Sequence, residues 1–507
     1  MRDLTHDLNE RKARAMAMGG PTAVARQHAD GKLTARERIA LLFDAGTFVE
    51  TGALADHEPR NPAMTGKHTP ADGVITGYGE VGGHTVCCAA YDFTVMAGSM
   101  GEVGERKVAR MRELALRLRT PIVWLLDSSG ARIQESAGSQ FAGSGDLFFE
   151  QVIMSGVVPQ VAAVMGPCAA GTAYIPALAD VTFMVKGTGS MALGGPHLVK
   201  AAVGEEISAE DLGGSRIHCT VSGCGDLEAP SDEACIEAIK QYLHYLTEPV
   251  TNPNLDDRRV EELYDLVPTE PNRVYDMRKV ITAIVDGGTF FELKAGWARS
   301  IITALARMGG RTVGVVASQP AYRGGVLDVD SADKAARFIT LCDAYEIPLL
   351  FLADVPGFLI GSKVEQQGII RHGAKMLYAV SEATVPKVTV VLRKAYGAGY
   401  FVMCGRAYEA DQIYAWPTAE ISVMGPEGAA AIIFRKEIEA AADPAAVKAE
   451  RIAMIRQTID PYVAAAGAYV DDVIDPADTR RLVIRALQAA RGKRVERPRR
   501  KHGIWPV

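Results

Sequence analysis

The sequence predicts an α/β protein made of one domain written twice, and three observations predict it. A nine-residue segment early in the chain returns in the second half. Two apolar runs of strand length also return there, both at the same spacing. The runs alternate with helical stretches and end at turns of small residues, as the strands of a βα-type domain do. A long internal period of this kind decides the whole fold.

The first repeat is Leu42-Phe-Asp-Ala-Gly-Thr-Phe-Val-Glu50, which returns as Ile284-Val-Asp-Gly-Gly-Thr-Phe-Phe-Glu292. It covers both a helix pattern and the turn after it, which chance does not explain. The second is the strand Pro121-Ile-Val-Trp-Leu-Leu-Asp127, echoed by Pro348-Leu-Leu-Phe-Leu-Ala-Asp354, each followed by a turn with a glycine, Gly130 or Gly357. The third is Pro159-Gln-Val-Ala-Ala-Val-Met165, echoed by Pro386-Lys-Val-Thr-Val-Val-Leu392. The step from Pro121 to Pro348 equals the step from Pro159 to Pro386, so equivalent elements recur at equivalent places. Runs that are apolar along their whole length suit strands covered on both faces. Helical stretches at 104–119 and 333–345 lie between them. These repeats place one domain at residues 1–250 and a second at 251–507. The proline- and asparagine-rich segment 248–256 reads as the join.

Composition agrees with a large globular enzyme. The 507 residues include 50 glycines, enough for many tight strand-to-helix turns, and 48% are hydrophobic. A prior of roughly 100–200 residues per domain allows two to four domains. Lys plus Arg is 55 against 61 for Asp plus Glu, so the net charge of −6 is thinly spread and asks for no nucleic acid. The eight cysteines form no CxxC pair, which argues against a zinc or disulfide framework. The charged N-terminus carries no signal-like apolar core, and no 18-residue apolar run occurs. The expectation is a cytoplasmic protein with no membrane span. The basic stretch 491–501 reads as a solvated tail, with an acidic partner or the phosphates of coenzyme A as the alternative.

The chemistry is expected at two turns. Gly166-Pro-Cys-Ala-Ala170-Gly171-Thr172-Ala173-Tyr174 follows one strand, and Gly397-Ala398-Gly399-Tyr400-Phe401 follows its echo. Gly171 and Gly399 stand within one position of the strand spacing. Small residues between a strand and a helix bring backbone N–H groups close to a ligand, where the helix dipole favours an anion. Both turns are therefore built like oxyanion holes. A reaction that forms two enolate-like oxyanions would use two such holes facing one cleft. The competing reading is tight helix-to-strand packing. Neither turn spells a nucleotide-binding fingerprint.

No GxSxG elbow, HExxH motif or acid cluster with metal-site spacing occurs, so no metal is expected. His84, His197, His218 and His372 stand alone in the sequence and read as structural. Glu135, three residues after Arg132, reads as one half of a solvated ion pair, with an acid–base role in a hydratase as the alternative. The missing side-chain machinery favours catalysis by backbone dipoles.

At these residues the sequence resembles the carboxyltransferase β subunits of propionyl-CoA and methylcrotonyl-CoA carboxylases, from about Lys32 to Ile504. The matching stretches include Gly31-Lys-Leu-Thr-Ala-Arg-Glu-Arg-Ile39, Gly98-Ser-Met-Gly101, Ser128-Ser-Gly-Ala-Arg132 and Gly204-Glu-Glu206. In the second half they include Val355-Pro-Gly-Phe358, Gly373-Ala-Lys375, Tyr414-Ala-Trp-Pro-Thr418 and Val423-Met-Gly425. The resemblance implies two crotonase-like domains with ββα-superhelix folds. It also implies a homo-oligomer, a hexamer formed as a trimer of dimers. It places oxyanion contacts to a coenzyme A thioester at Ala170 and Gly171, and contacts to the biotin ureido group at Ala398 and Gly399. Further substrate contacts are expected at Gly130, Ala131, Arg132, Tyr174, Gly195, Phe358, Tyr400 and Phe401.

The implied reaction moves a carboxyl group from carboxybiotin to the α-carbon, or vinylogous γ-carbon, of an acyl-CoA with no side-chain base. Decarboxylation or transcarboxylation by the same fold is the runner-up, and a crotonase-type hydratase or isomerase is a third reading. Ala374-Lys-Met376 matches a biotinylation signature only in part, so biotin is expected on a separate carrier protein that a partner biotin carboxylase charges. Two departures stand out. Ala170 replaces the usual glycine, and its N–H is expected to serve only if the turn keeps φ negative. Phe401 stands where propionyl-type enzymes show an aspartate, whereas Met403-Cys-Gly-Arg-Ala-Tyr408 is more like the methylcrotonyl type, which leaves the acyl preference open.

Overall fold

The computed structural model describes residues 1–58, 62–247 and 257–507, with the backbone alone at 140. The chain divides into two compact units, Met1–Thr247 and Glu248–Val507. The proline-rich join at 248–256 lies outside the described residues.

The first unit holds β1 (Val49–Thr51), β2 (Val74–Val81), β3 (His84–Tyr91), β4 (Ile122–Ser128), β5 (Gln160–Ala169), β6 (Val181–Val185), β7 (Ser190–Ala192) and β8 (Leu227–Ala229). They form one sheet in the order β1-β2-β3-β4-β5-β6-β8, with β7 beside β5. The first three strands are antiparallel neighbours; from β3 onward the neighbours run parallel. Helix Glu102–Leu118 crosses between β3 and β4, and helix Asp146–Met154 lies between β4 and β5.

The second unit repeats this plan. Its strands are β9 (Phe291–Leu293), β10 (Ile301–Met308), β11 (Arg311–Ser318), β12 (Leu349–Val355), β13 (Lys387–Tyr396), β14 (Gln412–Ala415), β15 (Glu420–Ser422) and β16 (Asp472–Val473). They stand in the order β16-β14-β13-β12-β11-β10-β9, with β15 beside β13. From β2 to β5 the two units keep one constant spacing, so that Val74 matches Ile301, Ile122 matches Leu349 and Ala169 matches Tyr396. The wider spacing of the first repeat has a plain cause. Twenty-two residues separate β1 from β2, but only 7 separate β9 from β10, so the first unit carries 15 additional residues there.

The repeated nine-residue segment has a definite task. Glycines 82 and 83 turn the β2–β3 hairpin with φ of 59° and 77°, a pair of left-handed residues of the kind two-residue hairpins require. Their N–H groups donate to the Asp44 carboxylate at 3.2 and 2.9 Å, and Thr47 Oγ1 accepts from Glu80 N–H at 3.0 Å. In the second unit Asp286 receives Gly309 and Gly310 at 3.1 and 2.7 Å, and Thr289 receives Arg307 at 3.0 Å. The Asp-x-Gly-Thr pattern recurs because each hairpin needs the same cap.

Each unit has its own core. β4 and β12 are buried at every position, as their unbroken apolar runs require. Trp124, Leu126, Ala162 and Val164 centre the first core, and Leu350, Leu352, Val388 and Val390 the second. The basic stretch 491–501 departs from the expected solvated tail. Lys493 pairs with Asp411 and Arg497 with Glu409, both at 2.8 Å, and Arg500 pairs with Glu382. Trp505 then stacks 4.7 Å from Tyr378. Acidic partners already present on the second unit draw the tail down.

Candidate active site

Each unit ends its two central strands in the same device. In the first, the buried Asp127 lies next to the last residue of β4, and its carboxylate takes Gln27, Lys32 and Arg38 at 2.8, 3.0 and 3.0 Å. In the second, Asp354 takes Tyr275, Arg393 and Lys394 at 3.0, 2.8 and 3.0 Å. Buried carboxylates need such cationic company. They fix the strand ends from which Gly130 and Gly357 turn outward, with φ of 100° and 119°. The two carbonyls are tied down alike: Met100 N–H donates to Gly130 at 2.9 Å and Leu327 N–H donates to Gly357 at 3.0 Å.

The small-residue turns follow β5 and β13 against these glycines. A methyl group on Gly130 would lie 3.2 Å from the Ala170 methyl, and one on Gly399 would lie 3.2 Å from Gly357 Cα. A short 3₁₀ turn, Ala170–Ala173, follows β5, and a short helix, Ala398–Val402, follows β13. The first N–H groups of such turns have no partner within the helix. Ala398 is exposed and carries a free N–H of this kind, whereas the Gly397 N–H is already committed to Ser422 at 2.9 Å.

Ala170 departs from expectation, because its φ is +54°, in the left-handed region rather than negative. The N–H is not lost. A residue at positive φ followed by a helical turn curls successive N–H groups into one concave nest suited to an anion. Gly397, which follows Tyr396 as Ala170 follows Ala169, has φ +56°. The strand spacing therefore matches Ala170 with Gly397, Gly171 with Ala398 and Thr172 with Gly399. Gly399 itself is buried, and a methyl there would come within 2.9 Å of Val355. For that glycine the packing reading explains the missing side chain.

The side chains near the turns are mostly apolar or neutral. Tyr174 and Phe401, just after the two turns, are 47% and 45% exposed. Tyr400 is pinned inward, its hydroxyl accepting Arg406 N–H at 3.0 Å, and burial raises its pKa. Phe358 is half-buried beside Gly373, and Gly195 caps the exposed helix Pro196–Val203. Burial pushes the thiols of Cys168 and Cys404 up to about 12 and about 11, so both stay protonated and neither offers a nucleophile. Met100 and Phe148, which sequence reasoning missed, are the side chains facing Gly171.

Arg132 and Glu135 form a buried pair rather than a solvated one. Their side chains are 0% and 5% exposed and meet at 2.9 Å. Arg132 also pairs with Asp72 and donates to the Ser99 carbonyl at 3.0 Å, while Ala131 beside it is bridged to Met100. The second oxygen of Glu135 accepts Glu102 N–H at 2.7 Å. His372 does not stand alone either, lying 2.9 Å from Asp333 with Lys375 3.1 Å from the same carboxylate. His218 is satisfied by the Met191 carbonyl and Ser222 at 2.7 and 2.8 Å. Among the described residues no group of three His, Cys, Asp or Glu side chains could hold a metal ion, and no helix is long and apolar enough to cross a membrane.

Known proteins share this fold. The family model "Carboxyl transferase domain" matches residues 26–505. The chain is 49% identical to the methylmalonyl-CoA carboxyltransferase 12S subunit of Propionibacterium freudenreichii subsp. shermanii, over 100% of this chain and 98% of that one. It is 45% identical to the propionyl-CoA carboxylase carboxyltransferase subunit of Haloferax mediterranei, over the full length of both. A crystal structure of transcarboxylase 12S, described as a hexamer assembly with methylmalonyl-coenzyme A and methylmalonic acid bound, superposes with a TM-score of 0.96 at 48% identity, over 100% of this chain and 98% of that one. The duplicated crotonase-like fold, the paired turns and the full-length similarity lead to one conclusion: the chain belongs to the carboxyl transferase family, as a carboxyltransferase of the biotin-dependent acyl-CoA carboxylase and transcarboxylase group.

Proposed function

We propose that this chain works on the propionyl-CoA and methylmalonyl-CoA couple, with the thioester oxygen held at Ala170 and Gly171 and the biotin ureido oxygen at Ala398, backed by Gly399. The observation that carries the reading is the duplication of one device: each unit ends its central strands in a turn with free N–H groups. The acyl group is suggested by relatives named for methylmalonyl-CoA and propionyl-CoA. Biotin arrives on a separate carrier protein, a biotin carboxylase charges it, and the chain assembles as a hexamer like its transcarboxylase relative.

Carboxybiotin supplies the CO₂ and, once decarboxylated, the ureido base. The chain's own part is electrostatic. N–H groups at Ala170 and Gly171 stabilise the oxyanion that develops as the thioester loses its α-proton, in a region where fixed dipoles act more strongly than in water. The ends of β4 and β5 hold them in place through Asp127 and Gly130. The hydratase alternative loses ground because both oxygens of Glu135 are spent on Arg132 and Glu102. Transcarboxylation from methylmalonyl-CoA is the favoured second reading, on the strength of the 12S similarity.

The test is to incubate the chain with carboxylated biotin carrier and propionyl-CoA, then follow labelled carboxylate. Methylmalonyl-CoA is the expected product, and the reverse run should recarboxylate the carrier. Failure of transfer to any thioester, with hydration of an enoyl-CoA instead, overturns the reading.

A further inference from the structure

Most glycines around these turns are forced. A methyl on Gly399 would meet Val355 at 2.9 Å, and one on Gly130 would meet the Ala169 carbonyl at 2.8 Å at a φ of 100°. Gly171 is different. Its φ is not positive, and a methyl there would meet only Met100 Cε at 3.7 Å and Phe148 Cζ at 3.8 Å, which is ordinary van der Waals contact. Neither backbone conformation nor packing requires a glycine, so its missing side chain leaves free space between the turn's N–H groups and two apolar side chains.

Those two side chains are well held. Met100 is half-buried, its backbone joined to Gly130 and Arg132 by hydrogen bonds of 2.9 Å, and its sulfur 3.7 Å from the Tyr91 hydroxyl. Phe148 packs on the core and meets Tyr174 edge-on at 5.5 Å. A thioester whose oxygen takes the N–H groups of Ala170 and Gly171 must rest its acyl chain against neighbouring atoms. The atoms facing Gly171 are a methyl and a ring edge.

We propose that Met100 and Phe148 are specificity-determining side chains that cap the length of the acyl chain accepted over Gly171. The inference rests on the thioester placement proposed above and adds the residues that measure the substrate. One methylene in an apolar pocket is worth about 10–200-fold in discrimination, so removing or adding a wall atom should be visible in substrate ranking.

The experiment measures kcat/KM for acetyl-, propionyl-, butyryl- and hexanoyl-CoA with carboxylated biotin carrier, in full-length wild type, Phe148→Ala, Phe148→Leu, Met100→Ala and Gly171→Ala. Phe148→Ala and Met100→Ala should each raise the hexanoyl to propionyl ratio at least about tenfold, and Gly171→Ala should move preference toward acetyl-CoA by about tenfold. Phe148→Leu and Gly171→Ala guard against misfolding, since the one preserves bulk and the other fits the space present. An unchanged ranking in variants that unfold like wild type overturns this proposal while leaving the thioester placement standing. A wild type that carboxylates none of the four thioesters overturns both.

Discussion

Ala170 and Gly397 occupy the same point of the duplicated fold, each just past its long central strand, and hold φ at +54° and +56°. The shared positive φ has unequal consequences. An alanine at left-handed φ costs about 1–2 kcal/mol, while a glycine there gives up about 0.5–1 kcal/mol of chain entropy. Ala170→Gly should therefore be neutral or stabilising by up to about 1 kcal/mol. Gly397 also has ψ of −139°, and a methyl would lie 2.9 Å from the Val423 carbonyl. Gly397→Ala should cost about 1–3 kcal/mol in backbone strain alone. The urea midpoint should stay or rise in Ala170→Gly and fall in Gly397→Ala; equal losses in the two variants would contradict this account.

The exposed N–H of Ala398 offers a cleaner probe of the second turn than Gly399. Proline is well tolerated at the first position of a helix and removes one donor. At Gly399 the same change would drive a ring into Val355 and Gly357. Ala398→Pro should lower turnover about 10²–10³-fold, the loss seen when one oxyanion donor is removed, with the melting temperature nearly unchanged. Turnover within a few-fold of wild type would remove Ala398 from the site.

The duplication was legible in residues because its purposes recur: Asp44 and Asp286 cap equal hairpins, and Pro121 and Pro348 open equal buried strands. The small-residue turns were legible for the same reason. What stayed hidden depends on contacts between distant segments. Aligning Gly171 with Gly399 by residue type slips the turns by one position and conceals that their structural partners are Ala398 and Thr172. Nothing local marks Met100 or Phe148, which the β3 and β4 connections carry to Gly171. The burial of Glu135 follows from Arg132 and its other partner Asp72, whose matching positions in the second repeat hold Leu359 and Arg299, so the repeat offers no guide to this ion pair.

Lys107 gives a pH test. Burial lowers its pKa to about 8, and its ammonium donates to the Ala71 and Val74 carbonyls at 2.7 and 2.6 Å. Below about 8 the amine is charged in both folded and unfolded chains. Between about 8 and the ordinary lysine value near 10.4, the unfolded chain holds the proton more tightly, so this group makes stability rise with pH across that window. The melting-temperature difference between wild type and Lys107→Met should widen in favour of wild type from about pH 7.5 to about pH 9.5. A flat difference would mean that the folded lysine titrates normally.

Arg132 is best tested against its own counterpart. At the strand spacing its match is Leu359, and the position matching Asp72 holds Arg299, so the second unit turns Gly357 without this ion pair. In the first unit the Asp72 carboxylate accepts Gly104 N–H at 2.6 Å and Glu135 accepts Glu102 N–H, so one guanidinium neutralises two carboxylates at the start of helix Glu102–Leu118. Arg132→Leu takes the guanidinium away from both buried carboxylates, and should cost about 3–5 kcal/mol, the range for breaking a buried pair from one side. Adding Asp72→Asn and Glu135→Gln removes the stranded charges and should restore most of that stability, since a neutral amide has far less to lose on burial. If the triple variant is no more stable than Arg132→Leu, the loss comes from packing around the side chain rather than from charge.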